Sequence, residues 1–485
     1  GFYHMRNMGL LFVLVMLLVV TAIPQAQDEE LPAFIADART PCEVDLTGQE
    51  FDFSHVGDLS GPYAAITQPI VAAFADSAAY FNARGGICGA TINLPDPTTI
   101  DTGGDQEQTQ IIYDREAANN PPLMILYASP DAELLRDTVA EDEIPVLISA
   151  GSIPGLYGES GGDPGWIFAT NPLYVDQFGH FCEYASENLE NPVIGYLSWQ
   201  GAFGEAAYTP EAIAYCDSLG VTVLDEPELF SPTDTDISGA VQNLVDQGAN
   251  ILYTNSLATG PALVAATVTN LGLNDQVQVA GVNWALDSSV GLLGLQSIGP
   301  DGLPSVNGII GSLPFVWWSE TDNPGIQLIT EQADLNERPV TLRNITYLIG
   351  FLTIDTYIEV MVQAANAVGA TSVDDITGAD VYAVLQNIDY NSMSVLPTSF
   401  INEEGEPIRD ASANRMAVLT YAGAEGGSVL DGQAPLLVDD GNGNMIPVPI
   451  VVALEDFRPT PDLRPGGADD PMMTDDMEDD GESDE

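Results

Sequence analysis

The sequence predicts an α/β fold built from two doubly wound parallel sheets. Short runs rich in Val, Ile, Leu and Tyr alternate with helical patterns of ten or more residues, which is typical of βαβ units. The connections between these runs are brief, as right-handed crossovers allow. The 485 residues are enough for two or three domains of about 100–200 residues each.

The first part of the chain shows the alternation clearly. A strand at 51–56 ends at Gly57, and apolar residues at helical spacing then run over 69–82 until Gly85 and Gly86 end the helix. The same reasoning predicts strands at 91–94, 123–127 and 146–148, helices at 106–119 and 132–141, and a resumed alternation after 166–168.

The middle of the chain repeats the pattern and predicts the second sheet. The helices are expected at 175–189, 205–219, 237–246 and 262–271, and the strands at 193–197, 221–224, 251–254 and 277–282.

The last part of the chain is less regular. A long apolar helix is expected at 341–368, packed across one sheet, with a further helix at 381–386 and a late strand at 417–421. Residues 422–440 are expected to form a loop, and the apolar, Pro-interrupted run 445–454 is left unassigned.

The N-terminus is typical of an export signal. Arg6 precedes the uncharged apolar run 9–23, and Pro24 and polar residues follow it, so residues 1–27 are expected to be a signal peptide and 28–50 a linker. The apolar run is shorter than the ~20 residues that a spanning helix prefers. The mature protein is therefore expected in the periplasm or outside the cell, with an uncleaved membrane tether as the alternative.

The charge is strongly acidic. The chain has 11 Lys+Arg against 72 Asp+Glu, a formal net charge of −61, and every basic residue is Arg. This balance excludes nucleic acid as a partner, because phosphate binding needs clustered Lys and Arg. A salt-rich, halophilic habitat is one interpretation, and an acidic bias at ordinary salt is the other. Residues 456–485 are expected to form an acidic, disordered tail.

Four cysteines suit an exported protein. Sequence cannot choose among their three pairings, and we favour Cys42–Cys88 and Cys182–Cys216 because each pair lies in one sequence neighbourhood, with free thiols as the alternative. The spacing is wrong for zinc, so no metal site is expected.

The predicted strand ends share an unusual chemistry. In an open parallel sheet, ligands bind beyond the carboxyl ends of the strands. These ends are rich in hydroxyls, amides, glycines and aromatic rings and almost free of charge, in a chain that is otherwise highly acidic. The set therefore favours a site for a small polar molecule, with simple helix capping as the alternative for any one residue. The segments are 57–63, 128–130, 149–152, 198–204, 255–256 and 283–284.

Four segments resemble the type I periplasmic binding proteins, in particular the branched-chain amino-acid (Leu/Ile/Val) binding family of ABC importers. They read GDLSGPYA at 57–64, FNARGGICGATINL at 81–94, PVLISAGS at 145–152 and YLSWQGAFGEAA at 196–207. The resemblance implies two lobes joined by three hinge crossovers, near 169–172, 310–314 and 396–400. Lobe 1 would then be 51–170 and 314–397, and lobe 2 would be 171–313 and 398–455.

The resemblance also implies a ligand site between the lobes. Ser129 and Ser152 would anchor the ligand on lobe 1, and Phe203, Asn255 and Asn283 would complete the site from lobe 2. At the position where the family has an acidic residue for the ligand's ammonium group, this chain has Asn283, and Asp287 is an alternative source of that carboxylate. The full candidate set is Ser60, Tyr63, Ser129, Gly151, Ser152, Phe203, Asn255, Ser256, Asn283 and Trp284.

The implied function is that of an extracytoplasmic solute-binding protein of an ABC importer. The ligand would be a branched-chain amino acid or a related polar metabolite such as an amide or a urea-like compound. The expected partners are this ligand and a membrane permease, and the protein is expected to be a monomer without a cofactor. A ligand-sensing receptor ectodomain is the alternative. We expect no enzyme, because the strand ends show no nucleophile–base pair and the G-x-S-x-G match at 158–162 lies in a predicted loop.

Overall fold

A computed structural model describes residues 30–402, 404–440 and 442–473. The predicted signal segment 1–27 and the end of the acidic tail, 474–485, lie outside the described residues. The α-helices are α1 (Ala33–Ala36), α2 (Ala64–Asn82), α3 (Gln106–Ala117), α4 (Ser129–Glu141), α5 (Ile153–Tyr157), α6 (Tyr174–Asn188), α7 (Pro210–Ser218), α8 (Ser238–Asp246), α9 (Thr259–Asn270), α10 (Ser288–Leu293), α11 (Pro324–Leu335), α12 (Ile345–Val368) and α13 (Gly378–Leu385).

The strands follow the predicted alternation with helices. They are β1 (Glu50–Asp52), β2 (Ser54–His55), β3 (Thr91–Asn93), β4 (Met124–Ile125), β5 (Val146–Ile148), β6 (Ile167–Ala169), β7 (Val193–Trp199), β8 (Thr222–Val223), β9 (Glu228–Phe230), β10 (Ile251–Thr254), β11 (Gln278–Gly281), β12 (Ile310–Ser312), β13 (Asp389–Tyr390), β14 (Thr398–Ser399), β15 (Ala413–Asn414), β16 (Met416–Tyr421), β17 (Leu437–Asp439), β18 (Met445–Pro447), β19 (Pro449–Ala453) and β20 (Arg458–Pro459).

Lobe 1 is built on a parallel sheet in the order β2-β4-β5-β6, with β1 and β3 paired beside it. Helices α2 and α12 pack against each other on this lobe. Helix α12 begins at the Asn344 cap, whose Oδ1 accepts the Tyr347 N–H at 2.9 Å. Within the described part of the chain it is the one helix long and apolar enough to span a membrane, and the apolar stretch that passes this test is buried inside the protein.

Lobe 2 is built on a larger sheet in the order β19-β16-β12-β11-β10-β7-β8, with β9 also paired to β7. The central strands are parallel, while β16 and β19 run antiparallel at one edge. Two late segments differ from the sequence-based expectation. The predicted loop 422–440 contains β17, and the unassigned run 445–454 forms β18 and β19.

Within the residues that the structure describes, the chain crosses between the lobes three times. The first crossing follows β6 at 169–172, and the second follows β12, since the Val316 N–H already donates to the Val395 carbonyl of lobe 1 at 2.9 Å. The third lies at 410–413, later than the expected 396–400. The reason is that the described residues 400–402 and 404–408 fold back on lobe 1, where the Phe400 N–H donates to the Ile388 carbonyl at 3.0 Å.

Residues 30–49, expected to be part of a linker, are instead folded onto lobe 1. Arg39 forms an ion pair with Asp355 of α12, and the Thr40 N–H donates to Glu359 of the same helix at 3.0 Å. Leu46 is fully buried. The segment is therefore held on lobe 1 by its apolar and charged side chains. The prediction of a linker did not take these side chains into account.

Both favoured disulfides are confirmed. Cys42 pairs with Cys88 and joins the N-terminal segment to the end of α2, and Cys182 pairs with Cys216 and joins α6 to α7. The first bond therefore ties residues 30–49 covalently to lobe 1. Both bonds stabilise the fold mainly by restricting the unfolded chain.

Part of the acidic tail, which the sequence predicts to be disordered, is folded. Residues 458–470, here called the C-terminal strap, are folded across the hinge. Strand β20 pairs with β15, and the fully buried Leu463 donates its N–H to Asp176 of α6 at 2.8 Å. Pro465 packs on Gly161 of lobe 1, where a Cβ would lie 2.6 Å from the proline ring. The expectation of disorder is thus corrected for the strap, because its buried Leu and paired Arg side chains anchor it to both lobes.

Candidate ligand-binding site

The candidate site lies where strand ends of the two lobes meet. Tyr63, at the start of α2 in lobe 1, approaches Phe203, which follows β7 in lobe 2, with 6.3 Å between the ring centroids. The two lobes are also joined next to the first crossing, where the Tyr174 N–H donates to the Gly151 carbonyl at 3.3 Å. The lobes are therefore in contact across the cleft.

Aromatic rings form the centre of this contact. Phe203 lies 5.1 Å from Tyr174 and 6.1 Å from Trp199, measured between ring centroids. The Trp284 Nε1–H donates to the Tyr174 hydroxyl at 3.0 Å. Rings in these edge-on arrangements present both faces and edges to a neighbouring ligand.

The lobe 1 wall is made by the ends of β4 and β5. Ser129 is the first residue of α4 and its hydroxyl is buried. Gly151 follows β5 and cannot be replaced easily, because a Cβ there would lie 2.4 Å from Leu156 Cδ1. A larger residue at 151 would therefore require the Leu156 side chain to move.

The lobe 2 wall is made by the ends of β7, β10 and β11. Asn255 is fully buried, and its Nδ2 donates to the Phe203 carbonyl at 2.7 Å. The Asn255 N–H donates to Ser198 Oγ at 2.9 Å, which ties the ends of β7 and β10 together. Asn283 is also fully buried, and its backbone N–H donates to Gln177 Oε1 at 3.0 Å.

Several buried side-chain atoms at these walls have no hydrogen-bond partner. Leaving such a group unpaired costs about 1–3 kcal/mol, so proteins rarely bury several together. Such atoms also occur elsewhere in the described chain, as at Tyr253 and Ser312, but seven of them lie at the strand ends and the first crossing, where a bound molecule would supply the missing bonds. Among the described residues they are both amide atoms of Asn171 and of Asn283, Asn255 Oδ1, Trp199 Nε1 and Ser129 Oγ, the last of which still lies close enough to the Tyr174 hydroxyl to lower its pKa against the effect of burial.

Four residues singled out from the sequence have other partners. Ser60 is exposed and its side chain contacts Asp101. The Ser152 hydroxyl donates to Glu133 at 2.6 Å, and the Ser256 hydroxyl is paired with Thr254 at 2.6 Å. Asp287 accepts the Ile345 N–H at the start of α12 at 2.9 Å, so it caps a helix instead of supplying a carboxylate to the cleft.

Sequence reasoning missed other residues around the cleft. Tyr174, Gln177 and Asn171 come from the first crossing and the start of α6, just beyond the predicted strand ends. Asp131 lies two residues after Ser129, on the same helix. The crossing itself was predicted at 169–172, and that was the signal that could have led to Asn171 and Tyr174.

Burial governs the titratable groups here. It raises the pKa of the Tyr63 and Tyr174 hydroxyls, which therefore stay neutral and able to donate at neutral pH. Burial also raises the pKa of Asp131 to about 6. Within residues 30–402, 404–440 and 442–473, no group of three or more His, Cys, Asp or Glu side chains is placed to hold a metal ion.

The sequence matches the model of one protein family, described as periplasmic binding protein, over residues 53–423. The chain belongs to this family. The membership confirms the predicted type I family and the α/β fold with parallel-sheet cores, and it supports the coarse prediction of a non-enzymatic solute-binding protein. A search of curated proteins gave no match.

Solved structures of similar fold include three ABC transporter proteins. A branched-chain amino-acid ABC transporter protein from Thermus thermophilus with bound valine is 18% identical, with a TM-score of 0.64, covering 84% of this chain and 97% of that one. A fatty acid ABC transporter substrate-binding protein from Thermomonospora curvata is 18% identical, with a TM-score of 0.64 and coverages of 89% and 97%. A solute-binding protein from R. palustris in complex with 4-hydroxybenzoate is 14% identical, with a TM-score of 0.62 and coverages of 85% and 98%. At these identities the likeness shows the fold alone.

Proposed function

We propose that this protein is the extracytoplasmic solute-binding component of an ABC importer. It captures a branched-chain amino acid or a related small polar metabolite, such as an amide or a urea-like compound, in the cleft between its lobes. The observation that carries this proposal is the set of buried, unpartnered polar atoms that both lobes and the first crossing contribute around the aromatic contact.

The chemistry of these atoms supports a small polar ligand. Asn283 offers an amide donor and an amide acceptor, and Ser129 offers a hydroxyl. The surrounding rings of Tyr63, Tyr174 and Phe203 exclude water and strengthen each polar contact. Such a site suits a molecule that carries several donors and acceptors on a small apolar body.

The mechanism follows from the three crossings. Lobes joined by short crossings can rotate as nearly rigid bodies about a hinge. A ligand that contacts both walls stabilises the closed arrangement, because it satisfies groups of both lobes only when they meet. The permease of the importer would then recognise the closed, loaded form, and the protein acts as an exported monomer in the periplasm or outside the cell.

A thermal-shift screen of the full chain in high salt tests the proposal. The panel holds branched-chain and other amino acids, short amides, urea and small carboxylates. A ligand at about 100 times its Kd adds roughly 2.7 kcal/mol to the free energy of unfolding, which gives a clear rise in Tm. A panel without any stabilising compound would contradict the proposal.

A matched pair of variants then tests the place of binding. Ser129→Ala should weaken a stabilising ligand about fivefold, since a buried hydroxyl contact is worth about 1 kcal/mol. Ser77→Ala is the control, because Ser77 is buried in lobe 1 with its hydroxyl donated to the Phe351 carbonyl at 3.0 Å. Unchanged affinity in Ser129→Ala would remove this hydroxyl from the site.

A further inference from the structure

One end of the C-terminal strap is fixed to lobe 2. Strand β20 pairs antiparallel with β15, and the Thr460 N–H extends this pairing by donating to the Ser412 carbonyl at 2.9 Å. The fully buried Leu463 packs on α6, where a Cβ at Gly179 would lie 2.4 Å from Leu463 Cδ1. This end of the strap therefore moves together with lobe 2.

The tip of the strap contacts lobe 1. The Arg464 Nη1–H donates to the Gly161 carbonyl at 3.3 Å, and the guanidinium carbon lies 4.1 Å from the centroid of the Tyr157 ring. Pro465 packs on the same glycine, so closely that a Cβ at Gly161 would lie 2.6 Å from the proline ring. The strap thus adds to the three crossings a further link between the lobes, and this link is made only of non-covalent contacts.

The tip is a compact turn that holds its own shape. Asp462 and Arg464 form a two-point ion pair, with nitrogen–oxygen distances of 2.8 and 2.6 Å. The Asp462 N–H donates to Asp469 Oδ2 at 2.9 Å, and the Asp469 N–H donates to the Asp462 carbonyl at 3.1 Å. Paired, charge-assisted bonds of this kind fix geometry as well as adding energy. A separation of the lobes would therefore have to break the contacts between the tip and lobe 1, because the turn cannot extend without losing these bonds.

The strap lies outside the part of the chain that the family model describes. The match ends at residue 423, whereas the strap begins at 458. Rotation of two lobes about short crossings needs only the matched part of the chain. The strap is therefore an additional element placed across that hinge.

We propose that the C-terminal strap is a latch that holds the lobes in the closed arrangement, and that Arg464 and Pro465 must leave Gly161 before the cleft opens. The latch shifts the equilibrium of the ligand-free protein towards the closed form. Its consequence, a slower exchange of ligand at the cleft, rests on the proposed function, whereas the latch itself does not.

Double electron–electron resonance on the ligand-free full chain tests the latch. All four cysteines are in disulfides, so spin labels attach only at the introduced Glu141→Cys and Gln247→Cys. Both positions are exposed, Glu141 at the end of α4 in lobe 1 and Gln247 just after α8 in lobe 2. The labelled protein should give one short distance, and adding Arg464→Ala should produce a population at longer distances.

A charge-matched control accompanies Arg464→Ala. Arg115→Ala removes the same positive charge, but the Arg115 guanidinium contacts only Glu116 and the Thr99 carbonyl, both in lobe 1. We expect Arg115→Ala to leave the distance between the labels unchanged.

A second matched pair acts from the lobe 1 side and keeps Arg464 in place. Gly161→Ala should push the strap away, because the new Cβ would meet Pro465. Gly158→Ala is the control in the same loop. Both glycines have a φ of +70°, so both variants carry the same kind of backbone strain, but the atom nearest to a Cβ at Gly158 is Arg136 Nη2 at 3.3 Å. Longer distances are expected in Gly161→Ala alone.

The distances decide the inference without any ligand. Unchanged distances in both Arg464→Ala and Gly161→Ala would overturn the latch, and shorter distances would show that the strap keeps the lobes apart. An equal shift in Arg115→Ala or Gly158→Ala would assign the effect to net charge or to loop strain and would also overturn it. Each of these results leaves the solute-binding function intact, which only the ligand screen can contradict.

Discussion

The third hinge crossing and the cleft both bury polar side chains, but they satisfy them differently. At the hinge, Asp410 accepts the Tyr157 hydroxyl at 2.7 Å and the Leu173 N–H at 3.2 Å. Arg409 donates to the Gly165 carbonyl at 2.5 Å and to the Tyr382 hydroxyl at 2.6 Å. In the cleft, both amide atoms of Asn283 remain without a partner.

This difference separates two uses of buried polarity. Partnered groups such as Arg409 and Asp410 hold the chain beside the third crossing in one arrangement, and they contribute to stability. Unpartnered groups lower the stability of the free protein, and they become favourable only when a ligand supplies the missing bonds. Substitutions in the two regions should therefore have opposite effects on stability, and the following predictions test that contrast.

The largest effect is expected for Arg409→Ala at the hinge. The guanidinium makes three hydrogen bonds and lies 4.6 Å from the Phe168 ring centroid, so its loss leaves a buried carbonyl unpaired. We expect the free energy of unfolding to fall by about 3 kcal/mol, measured by urea denaturation. Arg343→Ala, at a half-exposed ion pair with Asp334, should cost less than about 1 kcal/mol. Equal losses of stability in the two variants would contradict the prediction that the buried hydrogen bonds of Arg409 contribute more than an exposed ion pair.

The next effect concerns pH at the hinge. Burial raises the pKa of Asp410 to about 6 and that of neighbouring Asp176 well above its usual value, against about 3.9 in an unfolded chain. Between pH 4 and 6 the folded state therefore binds more protons than the unfolded state, so these groups make stability fall as the pH rises through this window. The effect should be on the order of 2 kcal/mol.

Asp410→Asn isolates this contribution. The amide can still accept the Tyr157 hydroxyl but has no charge to desolvate. The variant should gain stability relative to the wild type as the pH rises from 4 to 6, with a constant difference above pH 7. A difference that is independent of pH across this range would show that Asp410 is ionised at low pH, contrary to the prediction.

In the cleft, Asn283→Leu should act in the opposite direction. Leu has a similar shape and removes two unpaired amide atoms, so we expect the free protein to gain about 1 kcal/mol of stability. Ligand affinity should fall at least tenfold in calorimetry, because the amide is expected to bind the ligand. Asn344→Ala is the control, since this buried amide caps α12 and its loss should cost about 1 kcal/mol. A destabilised Asn283→Leu would place this amide among the partnered, structural groups.

Much of the fold could be predicted from the sequence because its signals are local. The period of apolar residues placed strands such as 146–148 and 251–254 at their observed bounds. The predicted helix 205–219 is too long at its start, because the Thr209 hydroxyl caps a helix that begins only at Pro210. The strap was missed because its fixed position depends on contacts with α6 and lobe 1 that are distant in sequence.

The candidate site could be located but not completed from the sequence. The rule that ligands lie beyond parallel strand ends pointed to segments that do meet, as Tyr63 and Phe203 show. It could not tell which hydroxyls are already used, as that of Ser152 is by Glu133. It also could not show that Asp131 accepts hydrogen bonds from Gln106 and Thr109, because those depend on where α3 packs.

The smallest effect belongs to Trp284, a cleft residue that is partnered like those of the hinge. Its Nε1–H donates to the Tyr174 hydroxyl at 3.0 Å, so Trp284→Phe and Tyr174→Phe should each lower the stability of the free protein by about 1 kcal/mol. If this bond accounts for most of both losses, the double variant will cost little more than either single one. Ligand affinity gives the sharper distinction. A bond that only braces the wall predicts equal affinity losses in both single variants, whereas a Tyr174 hydroxyl that also contacts the ligand predicts a larger loss in Tyr174→Phe.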